Sequence, residues 1–86
     1  MAGLKRATSA IRFRNECKRV AVKTGYEVGF YPDKHTTIFQ DDGVLHIAKF
    51  GIRACFVIAH DDLNVQNERI REVLGALRLS VRMDGG

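Results

Sequence analysis

The stretch His35-Thr36-Thr37-Ile38-Phe39-Gln40-Asp41-Asp42-Gly43-Val44-Leu45-His46-Ile47-Ala48-Lys49-Phe50 decides the fold class. Two runs rich in β-branched and aromatic residues flank Asp41-Asp42-Gly43, and an Asp-Gly pair between such runs is a strong β-hairpin signal. Two registers fit. A three-residue loop pairs Phe39 with Leu45 and Thr37 with Ile47, whereas a two-residue Asp-Gly turn pairs Ile38 with Ile47. A slip of one residue turns every side chain to the other face, so the faces of His35 and His46 stay open at this point.

Upstream, Tyr26, Val28 and Phe30 alternate with Glu27, Gly29 and Tyr31, the period of a half-buried strand, and Pro32-Asp33-Lys34 reads as a turn. Downstream, Gly51 breaks the apolar run. Arg53 to His60 then reads as a further strand, apolar on both faces and therefore central. Helices close both ends. Thr8 or Ser9 can cap a first helix in which Phe13, Cys17, Val20 and Ala21 form an inward stripe, with Gly25 suited to the left-handed position after it. Asp62 or Asn64 can cap a second helix with Val65, Ile70, Val73, Leu74 and Leu77 inward and Gly75 weakening its last turn. Residues 79–83 alternate as a frayed helix end or a short edge strand; the reading adopted is helix to Arg78.

The expected elements are a helix over about 9–23, strands over about 26–31, 35–40, 44–50 and 53–60, and a helix over about 64–78, with flexible ends. This α-β-β-β-β-α order predicts a single α+β domain over residues 1–86, an antiparallel sheet with two helices on one face. Its 45% hydrophobic and 28% charged residues argue against disorder. The longest apolar run, Ala54 to Ala59, is too short to span a bilayer, and Met1 to Arg6 lacks the apolar stretch of a signal peptide, so the expected compartment is the cytoplasm. Cys17 and Cys55 each fall on an apolar stripe and read as reduced core residues.

The net charge of +4 is unevenly laid out. Residues 1–23 carry Lys5, Arg6, Arg12, Arg14, Lys18, Arg19 and Lys23 against Glu16 alone, while the rest of the chain is slightly acidic. Arg12, Arg19 and Lys23 line one outward stripe of the first helix, with Arg14 and Lys18 beside it. Cations so spaced can meet successive phosphates, or equally an acidic protein surface.

Among groups able to do chemistry, His35 comes first. It opens a strand with Lys34 beside it and, in the three-residue-loop register, Lys49 nearly opposite. Cationic neighbours favour a neutral imidazole able to take a proton. His46 and His60 sit in apolar runs and read as core or sheet-edge histidines. No pair of His or Cys has the CxxC or HxxxH spacing of a local metal site, no phosphate-binding or dinucleotide-binding glycine motif is present, and no metal or cofactor is expected. Tyr31 is the best exposed aromatic candidate for base stacking; the other rings read as core.

The run of helix, Gly25-Tyr26, strand, Lys34-His35, strand, Asp42-Gly43, strand and Leu63 through Leu79 resembles the small HicA-type mRNA interferases, toxins with a double-stranded-RNA-binding-like α-β-β-β-α fold. Their motif is a Gly-Ser-His at the start of the second strand. Here His35-Thr36-Thr37-Ile38-Phe39 stands where that histidine and strand fall, and Arg69-Ile70-Arg71-Glu72-Val73-Leu74 where the closing helix falls. Asp33-Lys34 replaces the Gly-Ser, the proline usual after the third strand is missing, and Phe50 to Ala59 adds apolar sequence. The resemblance implies a metal-independent endoribonuclease with His35 as catalytic residue and a cognate antitoxin as partner.

Two functions are therefore expected to compete. One is a small basic RNA-binding protein of the mRNA-interferase kind, contacting its partner through Arg12, Arg14, Lys18, Arg19, Lys23, Lys34 and Lys49. The other is a non-enzymatic protein of the kind phages and mobile elements use, which binds and inhibits a host protein complex. Pairing with a second copy of the chain, through strand 54–59, is compatible with either.

Overall fold

The computed structural model describes residues 2–79, with side chains from Thr8 onward. The elements are α1 (Ala2–Thr24), β1 (Val28–Pro32), β2 (Thr37–Asp41), β3 (Val44–Lys49), β4 (Ile52–Val57) and α2 (Leu63–Ala76). The expected α-β-β-β-β-α order and the antiparallel sheet with two helices on one face are what the chain adopts.

Helix α1 begins well before the expected cap. Thr8 and Ser9 lie inside it, because Ala2 to Ala7 is mostly Ala, Leu, Lys and Arg, strong helix formers with no proline to stop them. The expectation of a flexible N-terminal end is corrected accordingly. The inward stripe is as read: Phe13, Cys17 and Val20 are buried and Ala21 packs beside them. The helix ends where Gly25 takes a φ of 83° and donates its N–H to the Ala21 carbonyl at 2.8 Å. Burial pushes the Cys17 thiol up to about 12, with the Glu16 carboxylate adding to the shift.

The strands lie in the order β1-β4-β3-β2. Two hairpins share one design: Asp42-Gly43 and Phe50-Gly51 are two-residue turns with positive φ throughout, at 51° and 77° and at 55° and 83°. Such turns match the natural twist of paired strands. The two-residue register therefore holds, with Ile38 opposite Ile47 and Phe39 opposite His46. Gly43 is also sterically required, since a Cβ there would sit 2.5 Å from that of Ala59. Val28, Phe30, Ile38, Leu45, Ile47, Ala54 and Phe56 face the helices.

Several strand boundaries move. Pro32 ends β1 instead of opening a turn, which its missing N–H permits because β1 is an edge strand. Strand β2 starts at Thr37, so His35 lies before it, and β4 starts at Ile52 and stops at Val57. Strand β4 is central as expected, yet its second face, with Arg53, Cys55 and Val57, carries no helix. Cys55 is thus half-buried on that face, not in the core as expected.

The link from β1 to β2 is Asp33 to Thr36. It must pass the ends of β4 and β3 to reach the opposite edge, about 14 Å at ordinary strand spacing. From Pro32 to Thr37 the chain can span at most roughly 17 Å, so this connection is drawn nearly taut. The Asp33 N–H donates to the Gly51 carbonyl at 3.0 Å on the way.

Helix α2 is capped by Asp62, whose side chain accepts the Asn64 N–H. It ends at Ala76, not Arg78. Arg78 takes the left-handed position (φ 57°), its N–H reaching Gly75 and the Leu79 N–H reaching Leu74 at 2.8 Å. This closure turns Leu79 back onto the core beside Leu74. The expectation for residues 80–83 lies outside the described residues.

Candidate functional site

With both helices on one face, the other face of the sheet is uncovered. Strand alternation and the observed register place two rows on it. Gly29, Cys55, His46 and Phe39 run across one; Tyr31, Arg53, Ala48 and Thr37 run across the next. Phe39 and His46 stack in parallel, centroids 4.5 Å apart and planes 5° from coplanar. The Arg53 guanidinium stands 5.5 Å from the Phe39 centroid, with Nη1 3.5 Å from His46 Nδ1. Cys55 Sγ lies at the same distance from that nitrogen. Tyr31 is 59% exposed, its ring lying against Gly29.

Asp33 joins this face to the taut connection. Its Oδ2 accepts from Arg53 Nε at 2.8 Å and Nη2 at 2.6 Å; its Oδ1 accepts the His35 N–H at 2.9 Å and lies 2.8 Å from His35 Nδ1. Ala48, beneath this crossing, is fully buried although it belongs to the uncovered face. The His35 amide and ring, then Arg53, hold the Asp33 carboxyl down at about 2. Part of this is ordinary turn chemistry, an Asp accepting the amide two residues on. Arg53 adds a tie across twenty residues of sequence. The His35 side chain is 71% exposed, and with Nδ1 toward a carboxylate its Nε2 is the nitrogen left for a substrate proton. The neighbour of the ring is Asp33; the observed register does not set Lys49 opposite it.

The sequence-derived site residues separate into four groups. Lys34 and His35 lie on the connection at the edge of the uncovered face. Arg12 and Lys49 meet on the helix side, around a groove lined by Phe13 and Phe50. Arg14 lies over the Phe30 ring, 5.2 Å from its centroid, and shares a second groove with Tyr31 and Pro32. Lys18, Arg19 and Lys23 are exposed on α1, where Arg19 is paired with Glu16 at 2.6 Å. His60 is exposed beyond β4 and accepts the Asp62 N–H at 2.9 Å. Among the described residues, no group of three or more His, Cys, Asp or Glu side chains converges to hold a metal ion.

Asp33, Phe39, His46 and Arg53 are the members that sequence reading missed. Phe39 reads as core until the two-residue turn is chosen; that choice alone puts Phe39, His46 and Cys55 in one row opposite to Leu45 and Ile47. The Asp33–Arg53 pair has no local signal, since it depends on β1 lying beside β4. Compared with known proteins, the chain matches no family model, no curated protein and no solved structure.

Proposed function

We propose that this chain is a small single-stranded-RNA-binding protein whose contact surface is the uncovered face of the sheet. The observation that carries the reading is the parallel Phe39–His46 stack beside Arg53 on that face. Phe39 stands on an edge strand and is 40% exposed, so a base can extend the stack on the ring face turned away from His46. Each stacked base contributes ~1–3 kcal/mol, largely without regard to sequence. Tyr31, at the far edge, offers a second ring, and Lys34 a cation for the backbone. The α1 cations belong to the other layer, and in this reading they attract RNA at long range without touching the bound strand.

The finer form of the reading is cleavage of the mRNA-interferase kind. His35, oriented through Nδ1 by Asp33, would take the ribose 2′-hydroxyl proton at Nε2. Fluorescence anisotropy with a labelled ten-nucleotide single strand tests binding: Phe39→Ala weakens it about tenfold or more. Gel analysis of the same RNA tests cleavage: His35→Ala abolishes it while binding persists. Equal behaviour of His35→Ala and wild type removes the nuclease and leaves the binding protein.

The second reading, a protein-binding inhibitor, is favoured by a different observation, the apolar groove beside Arg12 and Lys49 on the helix side of the sheet.

A further inference from the structure

Where α1, the β3–β4 turn and the end of α2 meet, Phe13, Phe50, Leu77 and Leu79 line a groove of about 200 Å³ with Arg12 and Lys49 at its rim. Phe50 is the unusual member. It occupies the first position of a two-residue turn at φ 55°, where the other hairpin uses Asp42. A bulky aromatic is a genuine outlier in this conformation, and such strain persists only where the surroundings enforce it. The ring meets Phe13 edge-on, centroids 6.2 Å apart, yet Phe50 remains 39% exposed. The fold thus holds an aromatic wall at a backbone cost and packs only part of it.

The chemistry of the groove narrows what it can take. The Lys49 ammonium lies over the Phe50 ring, 5.1 Å from the centroid, so a nucleobase cannot stack on that face. The apolar side chains are recessed between elements and do not project as a membrane-inserting wedge would. The rim is cationic, because Glu16, which also lines it, is engaged by Arg19 at 2.6 Å. An apolar floor under a positive rim complements an apolar side chain flanked by carboxylates.

We infer that this groove docks an acidic segment of a protein partner, which inserts one apolar side chain between Phe13 and Phe50 and sets its carboxylates against Arg12 and Lys49. It uses none of the residues of the uncovered sheet face and stands independently of RNA binding.

The test is anisotropy of a fluorescein-labelled Glu-Asp-Phe-Asp-Glu peptide with the full chain, alongside amide NMR shifts. Saturable binding is expected, with shifts centred on Phe13, Lys49 and Phe50, and no binding when the peptide's Phe is replaced by Ser. Phe50→Gly relieves the backbone strain while removing the ring, so it is expected to fold and to weaken binding at least tenfold. Should Phe50→Gly fail to fold, the double variant Arg12→Glu, Lys49→Glu decides by the same tenfold criterion. Phe39→Ala leaves peptide binding unchanged, which separates this site from the RNA surface. Undiminished binding by a folded Phe50→Gly or by the double variant overturns the inference. So does displacement of the peptide by oligouridylate from the same residues, or occupation of the groove in the free protein by residues 80–86.

Discussion

Arg53 holds Asp33 with two nitrogens on one carboxylate oxygen, Nε at 2.8 Å and Nη2 at 2.6 Å. The contact ties the connection that crosses the sheet to a central strand. It also fixes the guanidinium beside the Phe39–His46 stack, so the loop that closes the topology is the one that orders the uncovered face. His35 shares the same carboxylate through its amide and its ring.

The pH dependence of stability follows from that carboxylate. Its folded value, about 2, is below the ordinary 3.8, so its contribution is present in full above the ordinary value. It is lost as pH falls from about 4 towards 2. Thermal melts from pH 2 to 5 should show wild type losing more stability than Asp33→Asn, the two converging at the acid end. Parallel curves would mean that the pair does not hold the fold.

The two cysteines should differ in reactivity. Cys17 is fully buried with its thiol pushed up to about 12, whereas Cys55 is half-buried on the uncovered face with its thiol raised less. A disulfide-exchange reagent at pH 8 should label Cys55 alone in the native chain, Cys17 following only in denaturant. Because the folded chain holds the Cys17 proton more tightly, stability should also decline as pH rises from about 9 towards 12.

Two glycine-related substitutions should act in opposite directions. Arg78 closes α2 in the left-handed conformation, so Arg78→Gly should gain ~0.5–1 kcal/mol and raise Tm by several degrees. Gly43→Ala adds a Cβ 2.5 Å from that of Ala59 at a positive φ, and should lose ~2 kcal/mol or more. Calorimetry of the two variants measures both signs.

The order of elements and the core stripes were legible because periodicity and turn chemistry are local. Phe13, Cys17 and Val20 repeat at helical spacing, and Asp42-Gly43 and Gly51 mark the turns. The uncovered face was not legible, for two physical reasons. Both hairpin registers satisfied the local pattern, and they assign Phe39 and His46 to opposite faces. The crossing from β1 to β2 is a tertiary choice, so neither the Asp33–Arg53 pair nor the exposed side of Cys55 had a signal in neighbouring residues. The basic stripe on α1 was read as placed, but its five cations do not share a layer with His35.

That separation makes the central claim directly measurable. The anisotropy of one labelled single-stranded RNA should be titrated at two salt concentrations with wild type, with Phe39→Ala, and with Arg12, Arg19 and Lys23 changed together to Ala. If RNA lies on the uncovered sheet face, Phe39→Ala loses about tenfold or more at both salt concentrations, while the helix variant loses affinity mainly at low salt. Full affinity in a folded Phe39→Ala, with binding abolished in the helix variant, would place the RNA on α1 and contradict the account.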